Sequence, residues 1–452
     1  RRGARLLLHE MRALLVLAGP LIVNQLGQIG MNTADTIMVG PLGATALAAA
    51  GLASALHMVA IMVCTGTILG MTPLVSQAFG AGDRPRCRRV LVQGLWLAAL
   101  LSAPMIWFSL EGRRIALLLG QTPEIAALAG DYLVALAPGV PAVLLFMAFR
   151  QFLEGMGITK PAMLMTFLGL AVNVGANRAL IYGVEGWISP LGVVGSGWAT
   201  SIVRAAMLAA MGVYILRHPA LHPFRGIRLR PDRPLFGRIF GVGAPIGAQL
   251  GMEVGLFSSA AVMMGWFGPI ELAAHQVTIN IAATTFMVAL GASLAGSIRV
   301  GQHVGAGRVR GVRRATLGTY ALATGFMGLC ALLFLAVPEA LIGVYTRDPQ
   351  IVSLGALLLG VAALFQLFDG AQVAGLCALR GAADTRVPTL LCALGYWGVG
   401  VPTAYALAFH TGLGPRGVWL GLCLGLGAVA VLLAWRVRQA LWRREPVRLR
   451  MS

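Results

Sequence analysis

Charge is what this chain lacks. Only 11% of its 452 residues are charged, against about 25% in a soluble globular protein. A soluble fold of 47.3 kDa could not cover its surface with so few. The shortage is uneven: 16 residues are acidic, 35 are basic, and Lys160 is the only lysine. The cysteines (Cys64, Cys87, Cys330, Cys377, Cys392 and Cys423) include no Cys-x-x-Cys pair. They read as free packing thiols, which excludes a disulfide scaffold and argues against a metal or redox site. No Ser/His/Asp grouping, zinc-protease motif or Asp-rich prenyl-phosphate motif is present, so nothing marks an enzyme. What the chain has in abundance is apolar residues: 58% by count, with a mean hydropathy of +0.81. It is a polytopic membrane protein.

Apolar runs of about 20 residues, separated by charged or Pro/Gly-rich breaks, give twelve helical spans. They lie near 13–38, 46–77, 90–110, 126–152, 161–183, 191–216, 236–266, 271–299, 314–337, 351–379, 388–410 and 416–441. A β-barrel would show ten-residue alternating segments, and these are absent. The first apolar run is long and continues through Asn24, Gln25 and Asp35, so no cleavable signal peptide is expected.

The arginines orient the spans. With the N-terminus inside, alternate loops on that side receive 29 of the 35 basic residues. Among them are Arg84, Arg86, Arg88, Arg89, Arg150, Lys160, Arg225, Arg228, Arg299, Arg308, Arg310, Arg380, Arg386, Arg443, Arg444, Arg448 and Arg450. The other side holds Arg113, Arg114, Arg347 and Arg416, while Arg178 and Arg204 fall within spans. This bias predicts both termini in the cytoplasm. The net charge of +19 therefore marks a membrane face, and nucleic acid is not an expected partner.

The two halves repeat. Gly19-Pro20 recurs as Ala244-Pro245, and Leu47-Ala48-Ala49 as Leu272-Ala273-Ala274. Gln77-x-x-Gly80-Ala81-Gly82 recurs as Gln302-x-x-Gly305-Ala306-Gly307, each 225 positions on. Leu153, Gly155, Thr159 and Lys160 match Leu379, Gly381, Thr385 and Arg386 at an offset of 226. Six spans per copy, an even number, leave both copies in the same orientation and imply a pseudo-two-fold axis along the membrane normal. The expected division is an N-lobe at 1–217, a Pro- and Arg-rich linker at 218–234 and a C-lobe at 235–452. His218 and His222 in the linker each precede a proline and read as breaks, not as metal ligands. The Gly-Ala-Gly runs read as tight inside loops, since they lack the strand and helix of a phosphate cradle.

An ionisable residue within a span is expensive and marks function by default. Three acids qualify: Asp35 in the first span, Glu253 in the seventh and Asp369 in the tenth. The bland alternative is a structural acid paired with an arginine. Arg178 and Arg204 offer that to Asp35, whereas the second repeat shows no arginine deep within a span. Amides collect nearby: Asn173 and Asn177 share a helix face at i,i+4, with Thr200 on the next span, and Gln276 and Asn280 do likewise in the second repeat. Amide carbonyls with a carboxylate suit a hard cation such as Na⁺, making Glu253 and Asp369 candidate ligands. Each amide could equally be interhelical packing glue.

Several stretches resemble the multidrug and toxic compound extrusion (MATE) transporters, especially their bacterial NorM-like branch. They are Gly19-Pro20-Leu21-Ile22, Ala34-Asp35-Thr36-Ile37-Met38-Val39-Gly40, Ala244-Pro245-Ile246 followed by Glu253, and Ala274-His275-Gln276-Val277. The most specific is Phe365-Gln366-Leu367-Phe368-Asp369-Gly370, running on to Leu379-Arg380-Gly381-Ala382-Ala383-Asp384-Thr385. The resemblance implies an all-α fold of two six-helix lobes around a central cavity. It implies alternating access, with Na⁺ or H⁺ entering while a cationic lipophilic drug or dye leaves. Glu253 and Asp369 match the acids that serve the coupling ion, and Asp35 the acid of the N-lobe cavity. Asn173, Asn177 and Thr200 match that acid's partners. Phe365 departs from relatives that carry a tyrosine one turn before the aspartate, which leaves H⁺ coupling open. The expected protein is thus a monomer of the bacterial inner membrane that needs no cofactor. Two alternatives stand beside this reading: a lipid-linked saccharide flippase, which should carry several basic cavity residues, and a membrane-embedded transferase enzyme.

Overall fold

A computed structural model describes residues 2–187, 189–218 and 230–442. Arg1, most of the 218–234 linker including His222, Arg225 and Arg228, and the terminal Arg443, Arg444, Arg448 and Arg450 lie outside the described residues. Seventeen α-helices are described. They are α1 (Arg2–Val39), α2 (Ala44–Ile68), α3 (Met71–Gly80), α4 (Arg84–Leu110), α5 (Gly112–Leu118), α6 (Pro123–Leu136), α7 (Gly139–Gly155), α8 (Lys160–Ile181) and α9 (Gly192–Arg217). The rest are α10 (Arg233–Phe267), α11 (Pro269–Gly305), α12 (Val309–Ala336), α13 (Pro338–Gly343), α14 (Pro349–Gly381), α15 (Arg386–Ala393), α16 (Val401–His410) and α17 (Pro415–Leu441).

Helices satisfy their own backbone hydrogen bonds, which is why apolar runs of this length adopt them in lipid. Eleven helices or helix pairs among the described residues are long and apolar enough to span a membrane. The pair α6–α7, bent by 48°, makes a twelfth. The bend sits at Ala137-Pro138, where proline removes a backbone donor. Large apolar side chains face outward along the helices, including Leu100, Leu329 and Val431 at 61–67% exposure, as expected where lipid is the neighbour.

The repeat read from the sequence recurs in the elements. The short helix α5 starts at Gly112 and α13 at Pro338, and α6 starts at Pro123 and α14 at Pro349, each 226 apart. Contacts divide the chain into two compact units. One gathers the described residues through Ile22, Ser76–Gly82, and those from Ala248 onward. The other holds Val23–Val75 and Asp83–Gly247. These borders differ from a division between repeats, because α1 and α10 each belong to both units. They change unit at 22/23 and 247/248, positions 225 apart and two residues beyond Pro20 and Pro245. In the first unit Leu14, Ala18 and Leu21 of α1 pack on Ala292, Ala295 and Ile298 of α11. The largest core there runs from Leu256 through Phe365, Tyr396 and Trp419 to Leu441. In the second, Val39, Ala49 and Ala53 pack with Tyr132, Leu133 and Ile181. All six cysteines are free and buried, as the packing reading requires.

Candidate functional site

Most acids with a described partner do structural work. Asp83 and Asp348 cap α4 and α14 by accepting backbone N–H bonds. Glu111, Asp232 and Asp384 pair with Arg114, Arg89 and Arg436. Glu10, in the first unit, is held by Arg299 through two bonds of 2.7 and 2.9 Å and lies 3.2 Å from His303. Glu154 receives Arg150 Nε at 2.6 Å, both side chains at most 5% exposed. Arg150 also donates to Gln25 at 3.3 Å. Among the described residues Asp35, Glu253 and Asp369 form no ion pair.

In the second unit, Asp35 near the end of α1 accepts hydrogen bonds from Asn173 at 2.8 Å and Asn177 at 2.6 Å. Both amides come from one face of α8, as their spacing requires. Each amide also holds a buried carbonyl oxygen without a partner. Thr200 is not joined to this group: its hydroxyl bonds back to the Ser196 carbonyl at 3.1 Å. Neither arginine offered to Asp35 pairs with it. Arg178 is exposed and stacks 5.8 Å over the Tyr182 ring. Arg204 Nη2 lies 3.0 Å from His57 Nε2; guanidinium only donates, so that nitrogen accepts.

In the first unit, Glu253 on α10 accepts from Gln249 Nε2 at 2.9 Å, one turn earlier. The Gln249 carbonyl in turn accepts from Arg380 at the end of α14. A carboxylate, an amide and a guanidinium thus form a relay in which the amide separates the two charges. This refines the expectation that placed Arg380 in an inside loop: it is 8% exposed and lies at the foot of α14. Asp369 is buried within electrostatic range of Glu253, and its Oδ1 has no hydrogen-bond partner. Gln276 and Asn280 do not join this cluster. Both are exposed, and Asn280 Oδ1 accepts instead from Tyr345 at 3.2 Å. Phe365 is spent on packing, edge-on to Phe257 and Trp419 at 6.1 and 5.6 Å.

Fold and site together define an α-helical polytopic membrane protein whose unpaired polar chemistry lies inside its spans. The layout is that of a solute carrier. The chain belongs to the MatE family, whose model matches residues 20–177 and 245–406. It is 39% identical over 446 residues to a probable multidrug resistance protein NorM of Pseudomonas putida, covering 96% of each chain. It is 38% identical over 444 residues to a protein of the same name in Rhizobium meliloti, covering 96% of this chain and 94% of that one. A solved structure described as the outward-facing conformation of a multidrug resistance MATE family transporter matches with TM-score 0.86 at 23% identity, over 95% of this chain and 96% of that one. Family membership sets aside the transferase alternative; these are transporters, not enzymes.

Proposed function

We propose that the chain is a multidrug efflux antiporter that exports cationic lipophilic compounds in exchange for Na⁺ or H⁺ by alternating access between two six-helix lobes. The observation that carries the reading is the isolation of three carboxylates. Where most other acids with described contacts cap a helix or face an arginine, Asp35, Glu253 and Asp369 sit within spans and form no ion pair among the described residues. Such groups are costly in a membrane and persist where a mobile cation is to be taken up. Na⁺ or a proton neutralises Glu253 and Asp369 and displaces a cationic drug. Neutralisation lowers the cost of closing the site to water, and the reset carrier then takes up drug from the inner side. Asp35, with Asn173 and Asn177 donating to it, serves as the second cation-responsive group; Thr200, Gln276 and Asn280 are polar contacts for passing substrate. The carrier acts as a monomer in a bacterial inner membrane with both termini cytoplasmic. A lipid-linked saccharide flippase needs free guanidinium groups for pyrophosphate. Here Arg150 and Arg380 are engaged by Glu154 and Gln249, which disfavours it.

In proteoliposomes, Asp369→Asn should cut ethidium efflux driven by an ion gradient by roughly tenfold or more while the protein still binds ethidium. Undiminished efflux would exclude Asp369 as a coupling group.

A further inference from the structure

The last membrane-crossing helix, α17, ends on a patterned face. Trp435, Arg438, Gln439 and Trp442 stand at i, i+3, i+4 and i+7, a spacing that stacks all four on one side. Opposite them, Arg313 and Leu317 are one turn apart near the start of α12. These six residues line a cavity of about 620 Å³ within the first unit. Its rim is apolar and turned outward, since Leu317, Trp435 and Trp442 are all exposed. Indoles at a helix end are side chains that settle at the level of lipid headgroups.

Two guanidinium groups line this space without a counter-charge. Arg313 and Arg438 form no ion pair among the described residues, and Asp384, which packs against the same end of α17, is taken by Arg436 at 2.8 Å. Arg313 is held in place by donating through Nη2 to the Trp442 carbonyl, yet its Nε is buried with no hydrogen-bond partner. A buried donor left empty is costly and calls for an acceptor. The sequence beyond Trp442 adds no balance, because Arg443, Arg444, Arg448 and Arg450 outnumber Glu445. Guanidinium meets phosphate through parallel, charge-assisted hydrogen bonds. A free phosphate would gain nothing from two indoles and a leucine. A phospholipid suits both halves of the cavity, its phosphate at the arginines and its chains along the apolar rim.

We propose that this cavity binds the headgroup of an anionic phospholipid, with Arg313 and Arg438 on the phosphate and Trp435 and Trp442 flanking it. None of Asp35, Glu253 and Asp369 lines the cavity, so the site stands whether or not those acids couple transport.

The test uses the full-length protein, stripped of lipid in a neutral detergent. Its thermal midpoint is followed during titration with phosphatidylglycerol, with phosphatidylcholine or with inorganic phosphate. Phosphatidylglycerol should raise the wild-type midpoint in a saturable way, and the other two should do little at equal concentration. Arg438→Gln, at an exposed position, should start from a midpoint close to wild type. It should raise the half-saturating phosphatidylglycerol concentration about fivefold. Arg313→Gln/Arg438→Gln should abolish saturation. Arg310→Gln, an exposed arginine in the first turn of α12 that does not line the cavity, should leave the titration unchanged. An equal gain with inorganic phosphate overturns the proposal, since the site would then be for a free anion. An equal gain with phosphatidylcholine also overturns it, as general solvation by lipid. So does Arg310→Gln matching Arg438→Gln, which would leave only a diffuse attraction to a basic surface. Should the double variant fail to fold, Arg438→Gln decides alone: a half-saturating concentration within twofold of wild type overturns the proposal.

Discussion

Arg150 and Glu154 are almost fully buried and bonded at 2.6 Å, with Gln25 on the same guanidinium. Removing one member strands the other charge in a dry interior. Arg150→Ala should therefore lower stability by about 3–5 kcal/mol, and Arg150→Met/Glu154→Met should recover most of it. Thermal or denaturant unfolding of the purified protein, compared across wild type, single and double variants, checks this. A double variant as unstable as the single one would mean that the pair holds the fold through more than its mutual charge. The sequence singled out Asp35, Glu253 and Asp369 because each interrupts an apolar run within a span. It hid Arg150, Glu154 and Arg380, because a charge at the end of an apolar run looks like the start of a loop. Whether such a charge is buried depends on a partner: one turn away for Arg150, and on another helix for Arg380 and Gln249.

At the scale of elements, the two Gln-x-x-Gly-Ala-Gly runs meet. A methyl on Gly80 at the end of α3 would fall on the backbone of Gln302, and one on Gly305 at the end of α11 would fall on the backbone of Gln77. Gln77 also donates to the Gly381 carbonyl at 3.0 Å. Backbone cannot rotate out of the way as a side chain can. Gly80→Ala or Gly305→Ala should each cost about 1–3 kcal/mol, seen as a lower thermal midpoint. Gly51→Ala in α2, with nothing within 4 Å of the added carbon, should be neutral or stabilising, as alanine is the better helix former. Equal effects at all three positions would refute the close-contact explanation. The repeat and its turns were legible: Gly82 and Gly307 adopt φ +76° and +67°, the left-handed conformation that glycine permits. The reciprocal contact was not, because it joins residues 222 and 228 positions apart. The bend between α6 and α7 was written locally in Pro138, yet one uninterrupted apolar run masked it.

For the whole molecule, apolar run length recovered the number of spans, since it follows from the cost of exposing backbone to lipid. The contact units were less legible. A helix is assigned to a half by its place in sequence, while α1 and α10 each pack in both units and change at positions equivalent in the repeat. Pro20 and Pro245 stand just before those points, and proline loosens the backbone ladder there. The central claim, that an inward ion gradient drives outward movement of cationic drugs through this chain, is tested most directly in proteoliposomes loaded with ethidium, with an Na⁺ gradient and a pH gradient imposed one at a time. The account predicts efflux under one of the two gradients, saturating with that ion and lost in Asp369→Asn; efflux under neither gradient would contradict it.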